Sequence, residues 1–411
     1  MSSDIPIGII ELGNVNTKCI IFRVSDNNAS EILSTSMTRS EGVHNGVIVN
    51  LASASKMIRS CISIAEKEAK VSLKKMNVIL EQPEFLCTKF SKHKKIDGSK
   101  IHNDDIKFLL SEAKKQLTLN DDKQSIIHIF NHNYIVDGKT FLKEPVDVYA
   151  DYLSHEMTFI TMPKNNIKNI NQAFIDCDIE VGRIISCTFA LGAKLLDDSE
   201  LQTGSTIMDI GFEKISLGFF KNFALVHSIT FPIGINHIVK DISKVCSLSL
   251  EESELITKDI DFLFQNNQKI FDNNDNLKDA YFKNSNYRKI SQSLILNVVK
   301  ARLDEMFGLA KKQIFETGSA STYITNILIV GGGSNLFNLE KYCSNFFEAN
   351  VKTKTKNYKE EKESKMNQNF AACLGAIKII KDGWETEAIP EVINKNIQKI
   401  SFFGRIFGNR L

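Results

Sequence analysis

The sequence predicts a duplicated, two-lobe α/β fold, and three observations carry that expectation. An apolar strand closed by an acid-x-Gly turn occurs twice, nearly half the chain length apart: Ile7–Leu12 with Glu11-Leu12-Gly13, and Thr206–Ile210 with Asp209-Ile210-Gly211. Strand-like runs follow each turn: Lys18–Val24 after the first, and Ile215–Phe220 and Phe223–Ile229 after the second, with Lys221-Asn222 as the turn between them. An amphipathic helix comes later in both cases, Ser53–Ala69 and then Asn236–Cys246 beyond the Phe231-Pro232-Ile233-Gly234 corner. A strand–hairpin–helix unit used twice implies nucleotide held between two lobes.

Composition narrows the class. A chain of 411 residues can bury a sizeable core in two or more lobes, and 43% hydrophobic with 24% charged residues is ordinary globular usage rather than disorder. With 51 basic and 49 acidic residues the net charge is +2, which leaves no electrostatic footprint for nucleic acid. The cysteines, at 19, 61, 87, 177, 187, 246, 343 and 373, show no C-x-x-C and read as reduced core thiols of a cytosolic protein. Met1–Pro6 leads straight into a strand, so no signal peptide is expected. No apolar run approaches the roughly 20 residues that cross a bilayer, so membrane contact would be made from the surface.

Taken in order, Glu11, Gly13 and Asn14 form the first candidate phosphate turn. Glycine lets backbone N–H groups approach phosphate oxygens, and the carboxylate orients water or Mg²⁺. The helix Ser53–Ala69 places Met57, Cys61, Ile64 and Ala65 on one face. Glu81–Thr161 reads as an insertion. It carries a helix at Asn103–Leu117, with Asp104 and Asp105 favouring its N-terminal dipole. Its strands are Ile126–Phe130, Tyr134–Val136 and Glu156–Thr161, and Pro145 marks a loop. His128 and His132 fall in strand-like sequence without carboxylate or Cys partners, so no metal site is expected there. In the second turn, Asp209 and Gly211 are followed by Phe212, Glu213 and Lys214, where a phosphate cradle prefers small residues.

Further on, Gln265–Asn276 reads as a surface loop and Ser285–Glu316 as a long helix with Leu294, Val298, Ala301 and Met306 among its apolar positions. The strand at Ile327–Val330 runs into Gly331, Gly332, Gly333 and Ser334, and a helix follows near Phe337–Cys343. Consecutive glycines let the backbone press against a flat or anionic group, and a helix N-terminus adds positive potential. The spacing is not G-x-G-x-x-G, which sets NAD aside. Thr353–Lys365 is a charge run expected to be solvated, and Asp382–Asn396 a linker. The tail Ile400–Leu411, read as a helix, puts Ile400, Phe403, Phe407 and Leu411 on one face with Ile406 beside them, while Lys399, Arg405 and Arg410 can snorkel toward headgroups. Gly404 and Gly408 each cost about 1 kcal/mol of helix, so docking is expected to order it. No Ser/His/Asp or Cys/His constellation exists, and no catalytic residue is assigned.

In this order the pieces resemble FtsA, the actin-like membrane tether of the bacterial division ring. Gly8–Val24 and Asp209–Gly218 resemble its two phosphate segments, and Gly42–Asn50 its G-V-I-x-[DN] stretch. Ile127–Asp137 with Glu144-Pro145-Val146 resembles its inserted subdomain, and Phe231–Gly234 with Asp241 its corner and following helix. Leu250–Glu254 resembles the start of its adenosine-side helix, Arg302 and Glu305 its R-x-[ED]-E pattern, Gly331–Ser334 its adenosine motif, and the tail its membrane-targeting helix. The resemblance implies an actin-like (ribonuclease H-like, duplicated) ATPase fold. Its first lobe would be 1–80 with 162–202 and 366–382, its insertion 81–161, its second lobe 203–365, its linker 383–396 and its membrane helix 397–411.

It also implies ATP or ADP with Mg²⁺ at Glu11, Gly13, Asn14, Asp209, Gly211, Glu254 and Gly331–Ser334. Implied partners are the FtsZ C-terminal tail, docking around Asp241–Arg302, further copies of this chain, inner-membrane lipid and other division proteins, at the cytoplasmic face of the division site. The departures concern phosphate. The family's Gly-Thr-x-Lys is Gly13-Asn14-Val15-Asn16 here, its D-x-G-G-G-T-[TM]-D is Asp209–Ser216, and a family lysine aligns with Thr257 beside Lys258. The implied hydrolysis is therefore small or absent. Two other readings stay open: an actin-fold ATPase or kinase with real turnover, and a PilM-like assembly scaffold.

Overall fold

The computed structural model describes residues 5–25, 29–316, 326–353 and 366–382. The linker and the tail Ile400–Leu411 lie outside the described residues, as does nearly all of the charge run after Thr353. The chain clusters into two units, residues 1–203 with 218–229 and 362–411, and residues 204–217 with 230–361.

In chain order the first unit holds β1 (Ile7–Leu12), β2 (Asn16–Val24), β3 (Ser30–Arg39), β4 (Val43–His44), β5 (Val47–Ile48), α1 (Leu51–Ala69), β6 (Lys75–Leu80), β7 (Leu86–Lys100), α2 (Asn103–Asn120), β8 (Gln124–Val136), β9 (Lys139–Phe141), β10 (Tyr149–Pro163), α3 (Lys164–Ile175), β11 (Glu180–Ser186), α4 (Cys187–Leu195) and α5 (Asp198–Thr203). Its main sheet has the order β11-β6-β1-β2-β3, antiparallel on the β2 side of β1 and parallel on the β6 side. β1 is buried along most of its length, as a central strand covered on both faces must be.

α1 starts where the Asn50 side chain accepts the Ser53 N–H at 3.0 Å, and it stops at Lys70 in the left-handed region. Its buried face includes Met57, Ile58, Cys61, Ile62 and Ala65; Ile64, expected on that face, is half exposed. Ser34 and Ser36 of β3 donate to the carbonyls of Ala65 and Cys61 on this helix, tying it to the sheet without leaving a buried hydroxyl unmet.

The inserted segment forms its own sheet, β7-β10-β8-β9, with α2 on one face. Two small apolar cores fill the space beneath the helix, one around Phe90, Leu110, Met157 and Phe159, the other around Ile101, Ile106, Tyr134 and Leu153. The structure corrects the strand expectations here. Ile126–Phe130 and Tyr134–Val136 are one strand, β8, whose register slips opposite Glu156/Met157. That bulge is what broke the alternation in the sequence. β10 is far longer than Glu156–Thr161, and β7 was not expected at all: it is a lysine-rich edge strand paired only with β10 in the sheet.

Glu81, fully buried just after β6, anchors the insertion. Its carboxylate accepts from the Ser186 hydroxyl at 2.7 Å and from the Thr188 N–H at 2.9 Å, at the start of α4. Next to it the His128 Nε2 accepts the Ser186 N–H at 3.0 Å. His128 is thus a core histidine whose ring nitrogen serves the backbone.

The second unit adds β12 (Ser205–Ile210), α6 (Ile235–Cys246), α7 (Leu250–Asp259), α8 (Gln292–Glu316), β15 (Asn326–Val330), α9 (Leu339–Phe347) and β16 (Asn350–Thr353), together with the ends of β13 (Ile215–Lys221) and β14 (Ala224–Phe231), whose residues 218–229 are grouped with the first unit, as is α10 (Ala371–Asp382). Its sheet runs β16-β15-β12-β13-β14, with β12, β15 and β16 parallel. The plan of the first sheet is repeated: a central strand, two successive strands on one side, two later parallel strands on the other. α8 begins at Gln292 rather than Ser285, and its buried face is Ile295, Val299, Leu303, Met306, Phe307, Ala310 and Ile314; Leu294 and Ala301 are exposed. The Asn-rich stretch after Gln265 is anchored rather than loose, because Ile270 and Phe271 are buried and Asn267 accepts from the Asp261 N–H.

Burial, together with the nearby Arg183 charge, pushes the His128 pKa down to about 3, and burial with Lys89 pushes His227 down to about 4. Between the ordinary histidine value near 6.5 and these lowered values only the unfolded chain binds the protons, so stability falls as pH falls. His128 alone is expected to remove about 2 kcal/mol between pH 7 and pH 5. Urea unfolding of wild type and His128→Gln at both pH values tests this; an unchanged pH dependence in the variant would contradict it.

Candidate functional site

The second unit places two of the expected turns side by side. In the parallel register of β12 with β15, Asp209 stands opposite Val330, so Gly211 and Gly331 leave the sheet at the same carboxyl-end edge. That edge is where open α/β sheets form their ligand crevices. Gly331 has φ +84°, and a Cβ there would sit 2.2 Å from the Asp209 Oδ1 and 2.6 Å from the Ile210 carbonyl. A Cβ on Gly333 would meet the Ile210 side chain at 2.5 Å. These two glycines exist to let the turn lie against β12. Only Gly332 faces open space, with nothing within 4 Å of its Cβ position.

The turn is closed by Ser334, whose N–H and hydroxyl both donate to the Gly331 carbonyl, at 3.1 and 2.7 Å. It is a short 3-10 turn over Gly332–Asn335, and α9 starts only at Leu339. The helix expected near Phe337–Cys343 is thus present, beginning after its N-cap at Asn338 and separated from the glycines by this turn.

The Gly211–Lys214 turn is folded in on itself. The Gly211 N–H donates to the Lys214 carbonyl at 2.9 Å. The Gly211 and Phe212 carbonyls accept from the Ile235 and Asn236 N–H groups of α6, at 3.2 and 2.7 Å. Glu213 accepts from the Asn236 side-chain amide at 2.6 Å and pairs with Lys240 at 3.6 Å. This contact needs Gly234, where a Cβ would lie 2.6 Å from both the Lys214 nitrogen and the Phe212 carbonyl.

In the first unit Glu11 is engaged by Lys18, directly across the β1–β2 pair, whose Nζ donates to both carboxylate oxygens at 2.9 and 3.1 Å. Burial opposes the ammonium, yet the Glu11 charge and hydrogen bond hold the Lys18 pKa above its ordinary value. Asn14 donates to Asn45 at 3.0 Å, and Gly13 lies too close to the Asn16 carbonyl for any side chain. Glu254, on α7, pairs with Lys258 at 2.8 Å, while Thr257 is buried and donates to the Ser253 carbonyl.

Two groups escaped notice in the sequence. Glu252, fully buried, accepts from the Ser249, Asn284 and Ser285 N–H groups and from the Ser285 hydroxyl, between 2.6 and 2.8 Å. Burial alone would raise its pKa; these donors bring it down to about 2. The Ser249-x-x-Glu252 spacing is a capping box that could have announced it. Asp261 accepts from the Leu263 and Asn266 N–H groups and the Asn338 amide, fixing the approach to α9. Arg302 joins α8 to α6 through Asp241 at 2.5 Å and also holds Glu305.

Two family models match, one described as "Cell division protein FtsA" over residues 206–375 and one as "SHS2 domain inserted in FTSA" over residues 86–161. The second falls on the β7–β10 sheet with α2, and the first on the sheet edge just described. The chain is FtsA-like. An FtsA from Buchnera aphidicola is 24% identical to it, over 95% of this chain and 96% of that protein.

Among solved structures, a chain of the "PilM-PilN type IV pilus biogenesis complex" superposes with a TM-score of 0.62 at 12% identity, covering 91% of this chain and 98% of that one. MreB5 of Spiroplasma citri bound to ADP superposes with a TM-score of 0.54 at 14% identity, covering 93% and 99%. These likenesses show the fold, a two-lobe actin-like α/β architecture carrying the FtsA insertion. The likeness to FtsA over most of the chain supports a role in cell division. Among the described residues no helix is long and apolar enough to cross a membrane, and no cluster of His, Cys, Asp or Glu could hold a metal ion.

The three glycines are expected to separate on substitution. Gly331→Ala meets both a left-handed backbone and a steric clash and should lose about 2–4 kcal/mol, whereas Gly332→Ala should stay within about 0.5 kcal/mol of wild type. Thermal melts of the two variants, with equal losses as the contrary outcome, decide the point.

Proposed function

We propose that the chain is a peripheral scaffold of the division site, tethering FtsZ filaments to the inner face of the cytoplasmic membrane and assembling with copies of itself. The likeness to FtsA supports it, and so does the sequence of the tail: the apolar stripe Ile400, Phe403, Phe407 and Leu411, with Ile406 adjoining and Lys399, Arg405 and Arg410 at its margins, suits the boundary between headgroups and acyl chains. One short helix binds lipid weakly, so many tails carried on one filament would act together. The FtsZ tail is assigned to the second unit, on the surface from Asp241 to Arg302, where the Arg302–Asp241 pair fixes α6 against α8.

The same reading includes ATP or ADP with Mg²⁺ as ligand. MreB5, of the same fold, was solved with ADP. Gly332 offers an open approach for a flat adenosine group, with Gly331, Gly333 and Ser334 holding the turn and Asp209, Gly211 and Glu254 on the same unit. Glu11, Gly13 and Asn14 are the first unit's candidates. Lys18 neutralises Glu11, and the Gly211–Lys214 turn is closed, so hydrolysis is not assigned. The PilM likeness rests on the fold alone.

Removing Ile400–Leu411 should move the protein from floated vesicles of anionic lipid to the soluble fraction, while binding of an FtsZ C-terminal peptide persists. Undiminished flotation of the truncated chain would remove the tether from the reading.

A further inference from the structure

We propose that Glu213 is a built-in stand-in for the outer phosphates, so that this chain takes adenine nucleotides without regard to how many phosphates they carry. The inference rests on the nucleotide reading above and concerns which part of the nucleotide the second unit recognises.

An anion held beside a strand-to-helix corner needs backbone N–H donors at the turn and at the first residues of the helix. Here the donors at both ends of the corner already have protein acceptors. Gly211 N–H gives its proton to Lys214, Ile235 N–H to Gly211, Asn236 N–H to Phe212 and His237 N–H to Gly234; the Gly234 N–H goes to His237 Nδ1. The turn presents its carbonyls to α6, and the helix uses its amides to receive them.

The charge is supplied internally as well. Glu213 sets a carboxylate near the amino end of α6, where the helix dipole favours an anion. It is held there by the Asn236 amide at 2.6 Å and by Lys240 at 3.6 Å. Its side chain is only 17% exposed. Gly234, with no side chain, lets the turn pack this closely on the start of α6. A phosphate approaching this corner would have to displace a carboxylate of like charge and break hydrogen bonds that the turn makes with itself. The Gly331–Ser334 turn differs, since Gly332 stays open. The recognition that survives is of the nucleoside, not of its phosphate tail.

The test is calorimetric titration of AMP, ADP and ATP with Mg²⁺ into the full chain, into Glu213→Ala and into Glu213→Gln, with melts confirming that the variants fold. Wild type is expected to bind the three nucleotides within about threefold of one another. Glu213→Ala should tighten ATP at least tenfold while leaving AMP where it was. Glu213→Gln, which keeps a partner for Asn236 but no charge, should fall between. Wild-type binding of ATP tenfold tighter than AMP, or an ATP-to-AMP ratio that is the same in wild type and Glu213→Ala, overturns the stand-in while leaving nucleotide binding intact. Silence of the wild type with ATP binding by Glu213→Ala also overturns the proposal, since the native chain would then take no adenine nucleotide at all. Silence of all three proteins toward all three nucleotides removes the nucleotide reading, and this inference with it.

Discussion

How closely β15 approaches β12 governs the second unit. The register brings Asp209 level with Val330, and the chain leaving β15 turns over the end of β12 at a separation that no side chain could share. Gly331 and Gly333 are there because of the atoms beneath them, the Asp209 carboxylate and Ile210. On the other flank Gly234 plays the same part for the Gly211–Lys214 turn. The corner is framed by backbone packed on backbone, and its polar groups are satisfied within the frame. Glycine is tolerated at such points because its entropic cost is smaller than the strain any other residue would meet there.

Much of this was legible in the sequence. The repeated strand and acid-x-Gly turn correctly gave a repeated sheet plan, because a buried parallel strand reads as an unbroken apolar run and glycine after it has few other uses. The helices from Leu51 and Ile235 were visible from their period, although the exposed Ile64 shows that one apolar residue does not fix a face. The long strands of the insertion were not legible. β7 carries five lysines and lacks apolar alternation, and β8 is broken by a bulge, so neither satisfies a period-two pattern. Residue types picked out turns that the structure sets at one sheet edge, after Asp209 and Val330, but not their hydrogen bonding. Nothing in Gly211-Phe212-Glu213-Lys214 says that the Gly211 and Phe212 carbonyls will accept from the first amides of α6.

Buried carboxylates recur as joints. Glu81 couples the end of β6 to the start of α4, and Glu252 couples the start of α7 to the segment before α8. Both lie within a chain whose elements come from distant stretches of sequence. In both, the charge is met by backbone N–H groups and hydroxyls rather than by a cation among the contacts described. Such a joint is directional: the carboxylate is met by donors at fixed positions, and an alternative packing would strand a charge away from water. The insertion is thus fixed to its host unit at a defined point, by chemistry that tolerates little slippage.

The edge strand β7 has a further consequence for how copies of this chain meet in a crowded solution. Its fifteen residues leave one margin of the sheet unpaired in the strand order, a template on which a like strand could zip up. Lys89, Lys92, Lys94, Lys95 and Lys100 lie along the strand with one acid of its own, Asp97; Lys94 and Lys100 also reach Asp105 and Asp147 outside it. The Asp97-Gly98 kink, both residues at positive φ, breaks the register with β10 between Lys95 and Ser99. Two such margins brought together would crowd ammonium groups and mismatch at the kink. The strand is therefore shielded against fusing with its own kind, and crowding alone would not turn a population of these chains into an amyloid-like aggregate through this edge.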